Sequence, residues 1–490
     1  MKNRFAKISF WLLVIVIVIN TTITAKTTYL VNEHVTSSHT RQEIMQKRQQ
    51  IKQYDYSKGE YLVKPVASAP YVAGSLQQGV IDDTLRSINF YRWLVGLNDV
   101  NINYNKMDRN QKGAVVLSKN NVLTHDPEKP SDMSQEFYDE AKAGCSYGIE
   151  RGDLYSGNCS MDYSYMPNVI DGYVSDLYNI STGGGAVGHR MSILTPNAYA
   201  VSFGKCSVYS TLSMYYTYYA SEYTQNTGKE WSFEPFYAFP SKGYFPRNLF
   251  ATNEYWSIYI TPGYQASQVY VGFEYNGQDY AAVDLTQETG YTAFSFRMPQ
   301  ELISALGGNS YTMPKSTIKV KIYGLNISDE EVWNIEYDVN FFDESDVVKD
   351  FSLKENNITL KRGDTKKIEL AYTPNGATPE NVSFSTNSNT ITISEDGTIR
   401  AFRPGKATIK AVVDGIEKEF IITVSGNTDY MLGDINIDGI VNADDAAEAI
   451  EIFKTQSQKD EDLIRGDMNN DDKIDAEDAA LIIEYFKTHK

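Results

Sequence analysis

The C-terminal stretch constrains this chain more than any other, because one acidic pattern is written there twice in the same register. DINIDGIVNADD carries side-chain oxygens at Asp434, Asn436, Asp438, Asn442 and Asp445, and DMNNDDKIDAED carries them at Asp467, Asn469, Asp471, Asp475 and Asp478. These are positions 1, 3, 5, 9 and 12 of a twelve-residue loop, with position 7 (Ile440, Lys473) offering its backbone carbonyl. A hard cation that takes about seven oxygens suits that alternation, so each loop is expected to hold one calcium ion, two Ca2+ in all. An acidic turn before a surface helix is the plainer alternative, and the shared register of two copies argues against it. Each loop runs into an apolar-periodic stretch, AAEAIEIFK from Ala446 and AALIIEYFK from Ala479, which predicts a helix starting at the last ligand.

Gly439 sits at loop position 6, where the chain turns sharply, but Asp472 holds that place in the second loop and must take the left-handed geometry less comfortably. Position 12 is Asp in both loops, and no helix former precedes loop one, which argues against a calmodulin-like pair of hands. The loop-then-helix repeat, led each time by Gly-Asp, resembles a dockerin module over residues 432–490. That resemblance implies an extracellular plug that folds around two calcium ions and docks onto a cohesin module of a scaffold protein, as in cellulosomes. It also implies that loop positions 10 and 11 help choose the partner. Those are Ala443 and Asp444 in one repeat, Ala476 and Glu477 in the other, unlike the Ser/Thr pairs of one well-known class. The two-fold similarity of the repeats would permit two docking orientations.

At 490 residues the chain exceeds one core, and length suggests three or four domains. Its net charge is −18, of which residues from Asn427 onward carry −11, with seventeen acidic against six basic side chains. Calcium would neutralise part of this locally. No basic stripe is present, and strong acidity argues against a nucleic-acid partner. Lys2, Arg4 and Lys7 precede an apolar run from Ile8 to Ile19 and a polar stretch ending at Ala25. That is the plan of a secretory signal over residues 1–25, with an uncleaved N-terminal anchor as the alternative. Residues 26–79 read as an N-terminal extension. In a secreted chain Cys145 and Cys159 are the simplest bridged pair, leaving Cys206 buried or free; a buried free thiol is equally credible for the pair.

Residues 80–246 alternate helical patterns with a strand. IDDTLRSINFYRWLVGL (Leu85, Ile88, Phe90, Leu94), QKGAVVLSKNN, DMSQEFYDEAKAG with Asp132 or Ser134 as N-cap, and NVIDGYVSDLY read as helices, and STGGGAVGHRMSILTPNAYAVSFGKC as a glycine-rich turn, a helical or extended segment and a strand ending at Phe203. A compact mixed α/β domain follows. His125 and His189 stand out among five histidines. Each is either a structural hydrogen-bonding residue or, with Asp171 or Asp176, part of an acid–base or zinc-binding cluster, because imidazole titrates near neutrality and ligates Zn2+. Ser181, Ser192 and Cys206 form no better nucleophile constellation.

The Asn89/Arg92 helix, His125 and Gly188-His189-Arg190 resemble the CAP superfamily of cysteine-rich secretory, pathogenesis-related and SCP-like proteins, over residues 82–219. The resemblance implies a three-layer α-β-α sandwich whose cleft holds two histidines, matched by His125 and His189, and two acids. The family's Gly-Glu-Asn is replaced by Ser156-Gly157-Asn158, so one acid is absent and Asp171 or Asp176 is the substitute. An incomplete cluster makes a binding or adhesion module the expectation, with a CAP-type hydrolase or peptidase as the alternative.

Beyond Ser210 the chain is aromatic. Trp231, Trp256, Phe236, Tyr237, Tyr244 and Phe245 read either as a carbohydrate-stacking surface or as an apolar edge against the preceding sheet. Alternating runs over residues 247–345 predict a β-sandwich, and a second β-module spans 347–425. Within it DGTIRAFRPGKATIKAV resembles the bacterial Ig-like group 2 domain, which implies a spacer or adhesive repeat. The expected molecule is therefore multidomain: a CAP-like α/β head, β-sandwich domains and a small all-α calcium-binding dockerin at 431–490. Its expected role is a secreted, extracellular, cellulosome-associated component in a polysaccharide-degrading context; a surface adhesin that binds polysaccharide or a cell-surface ligand is the third reading.

Overall fold

A computed structural model describes residues 26–30, 39–146, 148–151, 165–177, 185–261, 269–288, 290–307, 312–388, 390–425, 431–469 and 471–489. The secretory signal expected over residues 1–25, Cys159, Ser181 and the Ser156-Gly157-Asn158 replacement lie outside them. No helix among the described residues is long and apolar enough to cross a membrane.

The head is built on a four-stranded sheet in the order Asn101–Ile102, Ala198–Cys206, Tyr209–Tyr216, Gly148–Arg151. The central hairpin is antiparallel, and its first strand runs three residues past the expected end at Phe203. Helices Tyr104–Asn120 and Gln135–Gly144 bury Val116, Leu117, Ala141 and Cys145 with Tyr209 on one side. Helices Gln78–Leu94 and Met166–Ser175 bury Ile88, Tyr91, Ile170 and Tyr173 with Phe203 and Leu212 on the other. Two glycines permit this closeness. A Cβ on Gly204 would lie 2.4 Å from the Gln111 nitrogen, and one on Gly144 would lie 2.3 Å from the Arg109 carbonyl oxygen. Buried Asn110 is satisfied between the layers, its Nδ2 donating to Thr211 and Ser213 at 3.1 and 3.0 Å. Of the two N-cap alternatives, Ser134 caps its helix, accepting from the Phe137 N–H at 3.2 Å.

The sandwich begins earlier than its expected start at residue 247. Phe236–Phe239 pairs with Trp256–Ile260, and Gly243–Pro246 lies parallel to Glu331–Phe342. One sheet is ordered Val283–Gln287, Ala293–Arg297, Trp256–Ile260, Phe236–Phe239. The other is centred on the long hairpin Ser316–Asn326 and Glu331–Phe342, with Thr27–Leu30 added at its edge. Trp256, Phe236, Tyr237 and Phe245 are buried and fill the interior, whereas Tyr218, Tyr219 and Trp231 are exposed, Trp231 packing against Tyr223 and Phe233. One continuous apolar core runs from Ile44 through the head to Val347. Head and sandwich share it, as where Tyr91 of the head helix meets Phe239 of the first sandwich strand.

Residues 350–425 form three small sheets around Phe351, Ile399, Ile409 and Ile422. The C-terminal unit is all-helical, with Ala443–Thr455, Asp460–Gly466 and Ala476–Thr488 closed over Ile435, Val441, Ala449, Ile452, Ile474 and Ile482. The helix Asp460–Gly466 leads directly into the second loop, a short entering helix where none was expected.

Candidate calcium loops and docking face

The two loops match bond for bond. At position 1, Asp434 accepts from the N–H groups of Asp438 and Gly439, both at 3.0 Å, and Asp467 from those of Asp471 and Asp472 at 3.0 and 3.1 Å. At position 5, Asp438 and Asp471 accept from the N–H of position 7 at 2.8 and 3.1 Å. At position 9, Asn442 and Asp475 cap the following helices, accepting from Asp444 and Glu477 at 2.6 and 2.7 Å. At position 12, Asp445 accepts from Ile435, Asn436 and Asn442, and Asp478 from Met468, Asn469 and Asp475.

The helices therefore start at position 10, two residues before the expected start at the last ligand. Position 9 is the N-cap and position 12 closes a capping box, so these side chains shape the loop and nucleate the helix together. Asp472 takes φ 66° where Gly439 takes 83°. Carboxylate oxygens of Asp467, Asp471 and Asp478 lie within 4.8 Å of one another. Burial raises the Asp478 carboxyl above the usual range, against the pull of three backbone N–H groups. A convergent, oxygen-only donor set of this charge fits a hard divalent cation.

The two long helices lay their exposed sides together as a groove of about 710 Å³. It is lined by Ala446, Ala447, Ile450, Glu451 and Lys454 and by Ala479, Ala480, Ile483 and Lys487; apart from Glu451, each lining residue has a counterpart 33 positions along, as the loops do. Ala443, Asp444, Ala476 and Glu477 are exposed on the first turns of the same helices.

Residues 432–487 match the dockerin type I domain. The C-terminal module is a dockerin. Residues 347–424 upstream of the dockerin match the bacterial Ig-like domain (group 2). Neither match reaches the head, and the CAP-like resemblance finds no support in these comparisons. No curated protein matches the chain. Among solved structures, domains 4 and 5 of the S-layer protein SbsC are similar at 13% identity over 31% of this chain and 99% of that one, with a TM-score of 0.17. The fibronectin(III)-like modules of Clostridium thermocellum CbhA are similar at 12% identity over 37% of this chain and 89% of theirs, with a TM-score of 0.17. Likenesses this slight carry no argument.

In the head, His189 and Asp176 are brought together, while His125 and Asp171 bond to other groups. His125 pairs through Nδ1 with the Cys145 carbonyl oxygen at 2.8 Å. His189 pairs through Nδ1 with Asp176 at 2.8 Å, and Asp176 also accepts from the His189 and Arg190 backbone N–H groups at 2.8 and 3.2 Å. Asp171 accepts from the Tyr91 hydroxyl at 2.7 Å and lines a different cleft, of about 470 Å³, with Arg48, Lys52, Asn168 and Glu344. Burial pushes the Asp171 carboxyl up, opposed by the Tyr91 bond. Among the described residues of the head, no three His, Cys, Asp or Glu ligand atoms lie within 4.8 Å of one another, so no zinc site is evidenced there. Asp171 and Asp176 serve different places because five residues separate them and the second sits past the helix end in a left-handed C-cap. Nor is Cys145 bridged. It is a buried free thiol, pushed up to about 12 by burial, with Sγ 3.6 Å from the Gly113 carbonyl oxygen.

Residues that carried the CAP resemblance do structural work. Arg92 is buried and donates to the carbonyls of Asn98, Ile193 and Thr195 at 2.7, 2.6 and 2.9 Å. Buried Arg190 pairs with Glu254 at 2.8 Å and donates to the Val174 and Ser175 carbonyls at 2.6 and 2.7 Å. No local pattern signals Glu254, which lies 64 residues downstream of its partner.

Proposed function

We propose that this protein is a secreted component that its dockerin, folded around two calcium ions, plugs into a cohesin module of a scaffold protein. The proposed ligands are Asp434, Asn436, Asp438, the Ile440 carbonyl, Asn442 and Asp445 in one loop, and Asp467, Asn469, Asp471, the Lys473 carbonyl, Asp475 and Asp478 in the other. The observation that carries this reading is the groove whose lining repeats at 33 residues, from Ala446 and Ile450 to Ala479 and Ile483. An apolar floor between two flanking lysines is a surface of the kind buried on association, and its internal symmetry suits a partner that can seat either way round. Ala443, Asp444, Ala476 and Glu477, at the mouth of that face, are the proposed partner-selecting residues.

Calcium, when bound, neutralises loops that otherwise crowd carboxylates. The protein's own contribution is positioning: backbone N–H groups orient the side chains at positions 1, 5 and 12 within each loop. The Ig-like module acts as a spacer, and the head and sandwich are the cargo, a binding or accessory unit delivered to polysaccharide. Capture of the full chain by an immobilised cohesin, with and without calcium, tests the reading. Retention only with calcium supports it, and no retention by cohesins of any class contradicts it.

A further inference from the structure

Among the described residues, loop two has a neighbour in the Ig-like module that loop one lacks. Arg403, on the connection between strands Thr398–Ala401 and Gly405–Val413 of the Ig-like module, reaches the dockerin and donates through Nη2 to Oδ2 of Asp467, the position 1 side chain. The same Nη2 meets Oδ1 of Asp472 at 3.0 Å. The Arg403 and Asp467 side chains are 9% and 3% exposed, so the pair is shielded from water and weakly screened. From the same module Arg362 donates to the Leu463 carbonyl, in the helix that enters loop two, at 3.5 Å.

This contact explains the anomaly at loop position 6. A residue at φ 66° is better served by glycine, and loop one has Gly439 there. What Asp472 brings, and glycine lacks, is a carboxylate, and that carboxylate meets Arg403. The seat is also incompletely satisfied, because Nη1 of Arg403 is buried with no hydrogen-bond partner among the described residues. Release of the arginine to water would recover that cost.

We infer that Arg403 is a latch seating the Ig-like module on the second calcium loop, and that calcium in this loop and the seated latch oppose one another. The inference rests on the calcium reading above. A guanidinium on Oδ2 of Asp467 draws on the carboxylate that a calcium ion at position 1 also needs, and two cations that share one carboxylate repel. Linkage makes the effect reciprocal: the latch weakens calcium at loop two, and calcium at loop two loosens the latch. Loop one fills first and leaves the modules seated; loop two fills second and frees the dockerin from the Ig-like module.

The test is calorimetric titration of calcium into the full chain after chelator treatment, with small-angle X-ray scattering at each stage, for the wild type and Arg403→Gln. The latch predicts two unequal sites in the wild type, and in Arg403→Gln a weaker site tightened about tenfold, ~1.4 kcal/mol, with the stronger site unchanged. It also predicts that the stripped wild type expands as calcium fills the second site, while stripped Arg403→Gln is already expanded. Asp472→Asn, which alters a latch partner outside the ligand positions, should expand the stripped protein in the same way. Unchanged affinities in Arg403→Gln, weaker calcium binding in that variant, or identical dimensions of the stripped proteins would each overturn the latch. A wild type that takes up no calcium would instead overturn the calcium reading itself.

Discussion

Asp445 and Asp478 stand 33 residues apart at the same loop position, and each gathers three backbone N–H groups of its own loop. The same carboxylate that completes the proposed ion site also closes the capping box of the helix behind it. Asp445→Ala or Asp478→Ala should therefore destabilise the dockerin even in chelator, by about 1–3 kcal/mol each, because three backbone donors, most of them part-buried, lose their acceptor. Thermal unfolding of each variant in chelator checks this; an unchanged transition would show that the carboxylates serve the ion alone.

The groove predicts redundancy. Ile450 and Ile483 are equivalent, so Ile450→Asp or Ile483→Asp alone should leave cohesin capture within a few-fold of wild type, whereas the double variant should weaken it by about a hundredfold, ~2.7 kcal/mol. Surface plasmon resonance on immobilised cohesin reads both. A single substitution as damaging as the pair would mean that one face alone is used.

Asp176 and His189 separate structure from chemistry in the head. Asp176→Ala leaves two backbone N–H groups without their acceptor, at His189 and Arg190, and should lower the unfolding temperature of the head by several degrees. His189→Ala keeps those bonds and should cost far less. Differential scanning calorimetry distinguishes them, and equal losses would contradict the anchoring role assigned to Asp176.

Burial pushes the Glu254 carboxyl up to about 8, with Arg190 pulling it down. Its ordinary value is 4.5, so the folded chain holds this proton more tightly than the unfolded one. The group therefore favours folding most below about 4.5, and that contribution is lost as pH rises towards about 8. The stability of the wild-type head should carry a component falling over this window. Glu254→Gln should remove it, as read from denaturant unfolding against pH.

Features made by neighbours in sequence were legible before the fold was known. Every loop bond of Asp434 and Asp445 spans ten residues or fewer, so ligand spacing and loop geometry are one pattern. The helix starts were misplaced because Asn442 and Asp475 read as ligands, although an amide or carboxylate three residues before another acid is also a capping signal. The sandwich boundary was misplaced because Phe236–Phe239 follows the head in sequence while pairing with Trp256–Ile260. Least legible were pairs fixed only by tertiary packing. Arg190 with Glu254 and Arg403 with Asp467 each span 64 residues, and nothing local distinguishes those arginines from surface ones. His125 and His189 stood out by rarity and motif, and their Nδ1 partners, the Cys145 carbonyl and Asp176, came only with the fold.

The central claim, a calcium-folded plug that docks on a cohesin, is tested most directly by one calorimetric series on the full chain. Calcium is titrated into the chelator-treated protein, and cohesin is then titrated into the calcium-loaded and the stripped forms. The account predicts uptake of two calcium ions per chain, and cohesin binding by the loaded form that is lost in the stripped form and in the Asp434→Ala, Asp467→Ala double variant. Absence of calcium uptake, or cohesin binding that is equal in the loaded and stripped forms, would contradict it.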